Sequence, residues 1–182
     1  MFLKRFFSSK PRCAEAAPLY QAIVAQARSP RLFSEIGVPD SLDGRFESIV
    51  LHLVLVLRRL KRDFPQGLEL AEALQEAFFE DMDRSLREMG AGDLGVGKRV
   101  KRMAEAFMGR LTVYEKALES MAEAGEGAEL RAVLRRNVFG TLEEGQGDDA
   151  ALVRYVLAQA AALEAQPGAE LRAGRPGFAA AD

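Results

Sequence analysis

Apolar residues in this chain recur at spacings of three and four, and no stretch sustains the alternation of a strand. Leu19, Ile23, Val24 and Ala27 share one face of a helix predicted over 15–28. In "SPRLFSEIG" Ser29 stands at a cap position, Pro30 at the first helical position and Gly37 at the stop, which predicts a short helical turn. Pro39 biases Val38 away from helix, making 38–40 a connector. Residues 41–63 read as one long helix whose middle, "IVLHLVLVL", is apolar enough to be surrounded on most sides. Pro65 and Gly67 break it. A helix over 68–89 follows, with Leu70, Leu74, Phe78, Met82, Leu86 and Met89 on one face. A glycine joint at 90–97 separates it from a helix over 98–124 carrying Met103, Phe107, Leu111, Tyr114, Leu118 and Met121. A shorter helix ends at Gly140, and "DDAALVRYVLAQAAALEAQ" (148–166) makes the last. From Pro167 the composition shifts to Pro, Gly and Ala and predicts a disordered tail.

The expected architecture is all-α: one compact helical domain of six or seven helices over 15–166, between a flexible arm at 1–14 and the tail at 167–182. With 182 residues and 48% hydrophobic content, the chain can bury a single good core. No apolar run reaches the roughly 18 residues of a membrane span. The arm "MFLKRFF" is too short for a secretory hydrophobic region, and a full mitochondrial transit peptide is absent.

Candidate chemistry is sparse. One cysteine, Cys13, rules out an internal disulfide and fits a reducing compartment. One histidine, His52, sits in the most apolar helix, where a hydrogen-bonded core residue is expected rather than a base. The stretch "MGAGDLGVGKRVKR" contains both G-x-G-x-x-G and G-x-x-x-x-G-K. In a phosphate site those glycines follow a buried strand, but here a helix precedes them, and Arg99 stands where a magnesium-binding hydroxyl belongs. The stretch therefore reads as a joint. In "EDMD" the side chains of Asp81 and Asp83 point to different sides of a helix, and pairing with Arg84 and Arg87 is expected instead of a metal site. These observations predict a non-enzyme with no cofactor and no metal.

Charge adds an interaction surface. Four of the 25 basic residues fall in the first twelve positions, which hold no acid. Phe2, Lys4, Arg5 and Phe6 combine apolar bulk with charge, as an interfacial helix on acidic lipid requires. "RRLKR" (58–62) and "KRVKR" (98–102) are dense enough to meet phosphate groups. Without interleaved aromatics they suit no specific nucleic acid. The arm together with Lys98, Arg99, Lys101 and Arg102 is the expected contact to an anionic membrane surface or a ribosome. Met82, Met89, Met103 and Met108 crowd around the joint with Phe78, Phe79 and Phe107. Most should be core, with an exposed subset lining a groove for apolar helices.

The strings "IVAQARSPRLF", "GVPDSLDGRFESIVLHLVLVLRRL", "FFEDMDRSLREMGAGDLGVGKRVKRM", "EAFMGR" and "RNVFG", in this order from about Tyr20 to Tyr155, resemble the ubiquinol–cytochrome c chaperone family in its bacterial form. Ser41 stands where relatives usually have threonine, and Met108 where they usually have tyrosine. The resemblance implies an all-α assembly factor for respiratory complex III that binds newly made cytochrome b, acts near the ribosome and works with a small partner subunit. It implies a client- or partner-binding set of Pro39, Asp40, Arg45, Phe79, Asp81, Met82, Asp83, Arg87, Asp93, Met108 and Arg110. The expected location is cytoplasmic, with peripheral contact to the inner membrane. A helical protein holding lipid or quinone in a closed apolar pocket is the alternative.

Overall fold

A computed structural model describes residues 14–90, 93–124 and 127–180, with the side chains at 93, 94 and 122–124 also outside the description. The arm with Phe2, Lys4, Arg5 and Phe6, and Cys13 with it, lies outside the described residues. Those described are helical, with no strand: α1 (Ala16–Ala27), α2 (Pro30–Ser34), α3 (Leu42–Arg62), α4 (Leu68–Glu88), α5 (Asp93–Ala124), α6 (Ala128–Val138), α7 (Asp149–Ala165) and α8 (Gly168–Arg172). Six are full helices; α2 and α8 are single turns of five residues.

α3 is the axis, packing against α1, α4, α5, α6, α7 and α8. Its apolar run explains this, because a helix without a polar side must be covered all round. Val50, Leu53, Val54, Val56 and Leu60 have no exposed surface. The Ser41 hydroxyl caps α3 by accepting from the Gly44 amide at 3.1 Å, and Asp148 caps α7 by accepting from Ala151 at 2.8 Å. The aromatic heart joins three helices: Phe78 packs on Phe107 at 5.3 Å, on Phe79 at 5.1 Å and on Phe46 at 6.1 Å between ring centres.

Two boundaries differ from expectation. The glycine joint is shorter than 90–97: α4 ends at Glu88, Gly90 takes φ of +81°, and α5 already begins at Asp93. Gly95 and Gly97 are thus helical. Val96 and Val100 bury themselves against Leu86, and that burial outweighs the roughly 1 kcal/mol each glycine costs a helix.

The second difference is the tail. Over 167–180 it is packed, not disordered, because buried polar groups need what it supplies. Gln159, 1% exposed, donates to the carbonyl of Ala179 at 3.2 Å and accepts from its amide at 2.9 Å. Arg59 donates to the carbonyls of Leu163 and Gln166, both at 3.0 Å, and to Asp63 at 2.7 Å, while Arg172 of α8 also pairs with Asp63. Leu171 is buried, and Phe178 lies edge-on to His52 at 5.8 Å. The packed domain extends beyond Gln166.

Candidate functional site

The first turns of α3, the second half of α4 and the first half of α5 leave between them an open cleft of about 990 Å³, completed by Arg28 after α1 and by the end of α6. Its apolar lining is Phe46 and Ile49 from α3, Met82 and Leu86 from α4, Met103 from α5 and Val138 from α6. Leu42 and Met89 also line it and remain 57% and 52% exposed. Such flexible and aliphatic side chains form a surface that adapts to an apolar guest.

A polar pair stands in this lining. Arg110 of α5 donates to Glu47 of α3 at 2.7 Å, with Glu47 8% exposed and Arg110 29%. Burial pushes the Glu47 carboxyl above its usual range, and Arg110 draws it partly back. Tyr114 is fully buried nearby; its phenol is held well above its ordinary range by burial and by the Glu47 charge, with Asn137 beside its hydroxyl drawing it partly back.

The connector before α3 is locked to the cleft. A Cβ at Gly44 would lie 2.0 Å from the Pro39 carbonyl oxygen, so only glycine lets residues 38–40 fold back on the helix. Asp40 then meets Arg45 at 2.6 Å, and that guanidinium holds its carboxyl below the ordinary range.

Of the expected client-binding residues, Arg45, Asp81, Met82 and Arg110 line the cleft. Asp40 joins them through Arg45, and Pro39 through its contact with the start of α3. Asp81 accepts from the Tyr20 hydroxyl at 2.9 Å and pairs with Arg84, tying α1 to α4. Asp83 pairs with Arg87 at 2.6 Å on a different side of α4, so the two aspartates divide as expected. Phe79 does not line the cleft: it is 6% exposed and packs edge-on against Phe107, because that face of α4 meets α5. Met108 is 53% exposed but outside the cleft lining, and the Asp93 side chain lies outside the described residues.

The basic clusters part company. In "RRLKR", Arg58 and Arg62 pair with Glu164, Arg59 with Asp63, and Lys61 with Glu115 at 3.5 Å, so each basic group of this cluster already has an acidic partner. In "KRVKR", Arg99 and Arg102 line the cleft, while Lys98 and Lys101 are exposed outside its lining, Lys101 beside Glu105 at 3.6 Å.

Elsewhere the chemistry is structural. His52 is fully buried; its Nδ1–H donates to the Ser48 carbonyl and its Nε2 accepts from the Tyr155 hydroxyl, each at 2.7 Å. Burial holds its pKa down to about 4, against the raising effect of the Ser48 carbonyl. Gln26 donates to the same Tyr155 hydroxyl at 3.0 Å. Among the described residues no group of three or more His, Cys, Asp or Glu is placed to hold a metal, and no helix is long and apolar enough to cross a membrane.

Sequence reasoning missed Arg28, Arg136 and Asn137, which reach the cleft from the ends of α1 and α6. It also missed the Glu47–Arg110 pair. A carboxylate inside an otherwise apolar run was the available signal, but its partner lies 63 positions away.

Comparison with known proteins places this architecture. The crystal structure of the Cbp3 homolog from Brucella abortus superimposes with a TM-score of 0.80 at 37% identity, covering 99% of this chain and 97% of that one. Ubiquinol-cytochrome-c reductase complex assembly factor 1 of Xenopus laevis is 23% identical over 156 residues, 86% of this chain and 76% of the relative. The mouse and human proteins of that name are each 24% identical over the same share of this chain, which spans about half their length (51% and 50%). A family model described as ubiquinol-cytochrome C chaperone matches residues 34–179, most of the packed domain, and the chain belongs to that family.

Proposed function

We propose that this protein is a non-catalytic assembly chaperone for the ubiquinol–cytochrome c reductase complex, that its client is newly made cytochrome b, and that the client is held in the α3–α4–α5 cleft. The observation that carries the reading is the open cleft itself, with an apolar lining from Phe46 to Val138 and exposed Leu42 and Met89. An apolar client segment outside the bilayer needs its surface covered reversibly, and thioether and aliphatic side chains cover it without demanding one fixed shape. The open mouth favours a protein segment over an enclosed quinone or lipid. The protein has no cofactor of its own in this reading. It works in the cytoplasm, at the inner-membrane surface, where the basic arm and Lys98 and Lys101 meet anionic lipid or the ribosome, and where a small partner subunit can join it.

Deletion of the gene in its native host tests this directly. Membrane cytochrome b and quinol–cytochrome c reductase activity should both fall while the cytochrome b transcript stays unchanged. A Leu42→Asn/Met89→Asn variant should fail to restore them. Normal cytochrome b and normal activity in the deletion strain would sink the proposal.

A further inference from the structure

Four arginines line the cleft with no counter-ion among the described residues. Arg28, Arg99, Arg102 and Arg136 have no ion pair among the described residues, whereas Arg45 and Arg110 are satisfied by Asp40 and Glu47. Two lining acids, Asp43 and Glu88, are likewise without an ion pair there, and Asp43 sits in the first turn of α3, where the helix dipole already favours a negative charge. The free charge of the cleft is therefore positive on a chain whose overall net charge is −2.

This is not a by-product of arginine abundance. In the equally dense 58–62 cluster every arginine and lysine has an acidic partner. At the cleft these four arginines have no such partner among the described residues, and all are exposed beside an apolar lining. Unpaired charge at the margin of an apolar groove selects a guest by charge and speeds its encounter.

Size and placement narrow the guest. A helix about 10 Å across and two turns long occupies on the order of 850 Å³, the scale of a cleft of about 990 Å³. The four arginines come from the end of α1, from α5 and from α6. Charges contributed by three separate elements suit carboxylates spaced along a helix, whereas a single phosphate headgroup calls for them gathered at one point.

We propose that the cleft takes a short amphipathic helix of the client protein whose apolar face is flanked by acidic residues. The proposal rests on reading the cleft as the client site, and it adds which segment is taken: an acidic-flanked one, in preference to neutral or basic apolar helices.

The test uses the full chain and three labelled synthetic helices of about four turns, identical in their leucine face and carrying Glu, Gln or Lys at the flanks. Fluorescence anisotropy should give the Glu peptide an affinity about tenfold above the Gln peptide, with the Lys peptide weakest. The gap should narrow as salt rises from about 50 to about 300 mM. An Arg99→Glu/Arg102→Glu variant, at two exposed positions, should reverse the order while its circular dichroism and melting temperature stay unchanged. Equal binding of the three peptides, or an order unmoved by the variant, overturns the proposal. So does arginine-dependent capture of phosphatidylglycerol vesicles that displaces the Glu peptide, since the charge would then be serving lipid. If peptide binding is charge-blind but Leu42→Asn/Met89→Asn still abolishes complex assembly, the acidic class falls and the client cleft stands. If both double variants support normal assembly, the client cleft falls.

Discussion

Glu47 and Arg110 are separated by 63 positions in the chain and meet at 2.7 Å in the lining of the cleft, joining α3 to α5 across the surface a guest would occupy. The pair holds two helices at a fixed separation while keeping a buried carboxylate compensated.

Removing one partner should therefore cost more than removing both. Arg110→Ala leaves Glu47 charged and buried, at about 2 kcal/mol in urea denaturation at neutral pH, below the usual figure for a buried pair because Arg110 keeps part of its surface in water. Glu47→Leu/Arg110→Leu should recover most of that loss. The sign of the pH effect follows from the raised Glu47 pKa: its neutral form is favoured in the fold, so its contribution is present at low pH and lost as pH rises through the folded value. The penalty of Arg110→Ala should accordingly shrink on acidification. A penalty independent of pH would contradict this account.

His52 has the opposite consequence. Its folded pKa of about 4 lies below the unfolded value of 6.5, so the unfolded chain binds the extra proton between those limits. Stability is full above the unfolded pKa and falls as pH drops from 6.5 towards 4, by on the order of 3 kcal/mol. His52→Gln should lower stability at pH 7 but flatten its dependence across this window, read as denaturation midpoints from pH 7 to pH 4. An unchanged slope in the variant would place the acid sensitivity elsewhere.

Gly95 and Gly97 lie in the first turns of α5, and among the described residues no atom beyond the helix's own nearby backbone and chain neighbours comes within 4 Å of where a Cβ would stand. No described neighbour requires glycine there. Gly95→Ala and Gly97→Ala should each stabilise the helix by about 0.5–1 kcal/mol, seen as slower amide exchange over residues 95–103. Faster exchange would mean that the glycines make a contact outside the described residues.

Truncation after Gln166 tests the packed carboxy-terminal segment. It strips Arg172 from Asp63, Phe178 from His52 and Ala179 from Gln159, and uncovers the site of Leu171. A loss of roughly 3 kcal/mol is expected from one leucine's burial plus a buried amide pairing. An unchanged melting temperature would return these residues to the status of a tail.

Helical periodicity carried most of the fold because the long helices bury one consistent face, as Leu70, Leu74, Phe78, Met82 and Leu86 do along α4. It failed where order comes from distant partners. Nothing local distinguishes "PGAELRAGRPGFAA" from a disordered tail, since Asp63 and Gln159 hold it from the end of α3 and from α7. The start of α5 was obscured because glycine spacing outspoke two valines whose partner, Leu86, lies on the preceding helix. At the cleft, the division of Asp81 from Asp83 was legible from angles on one helix, whereas the convergence of Arg28, Arg99 and Arg136 was not. Phe79 shows the limit of reading by string: it belongs to a family-like run yet serves the aromatic interior.

Leu86, Val96 and Val100 form a knot of buried side chains distinct from the central core, with half-buried Met103 packed against both. The start of α5 that carries Arg99 and Arg102 thus rests on its own small cluster, and its amides are expected to exchange at lower free-energy cost than those around α3. For a cleft that holds a client as proposed, grip and survival of the fold would then be separate properties. Sequence drift at the start of α5 would retune what is held and how quickly it is released, at little risk to the scaffold beneath.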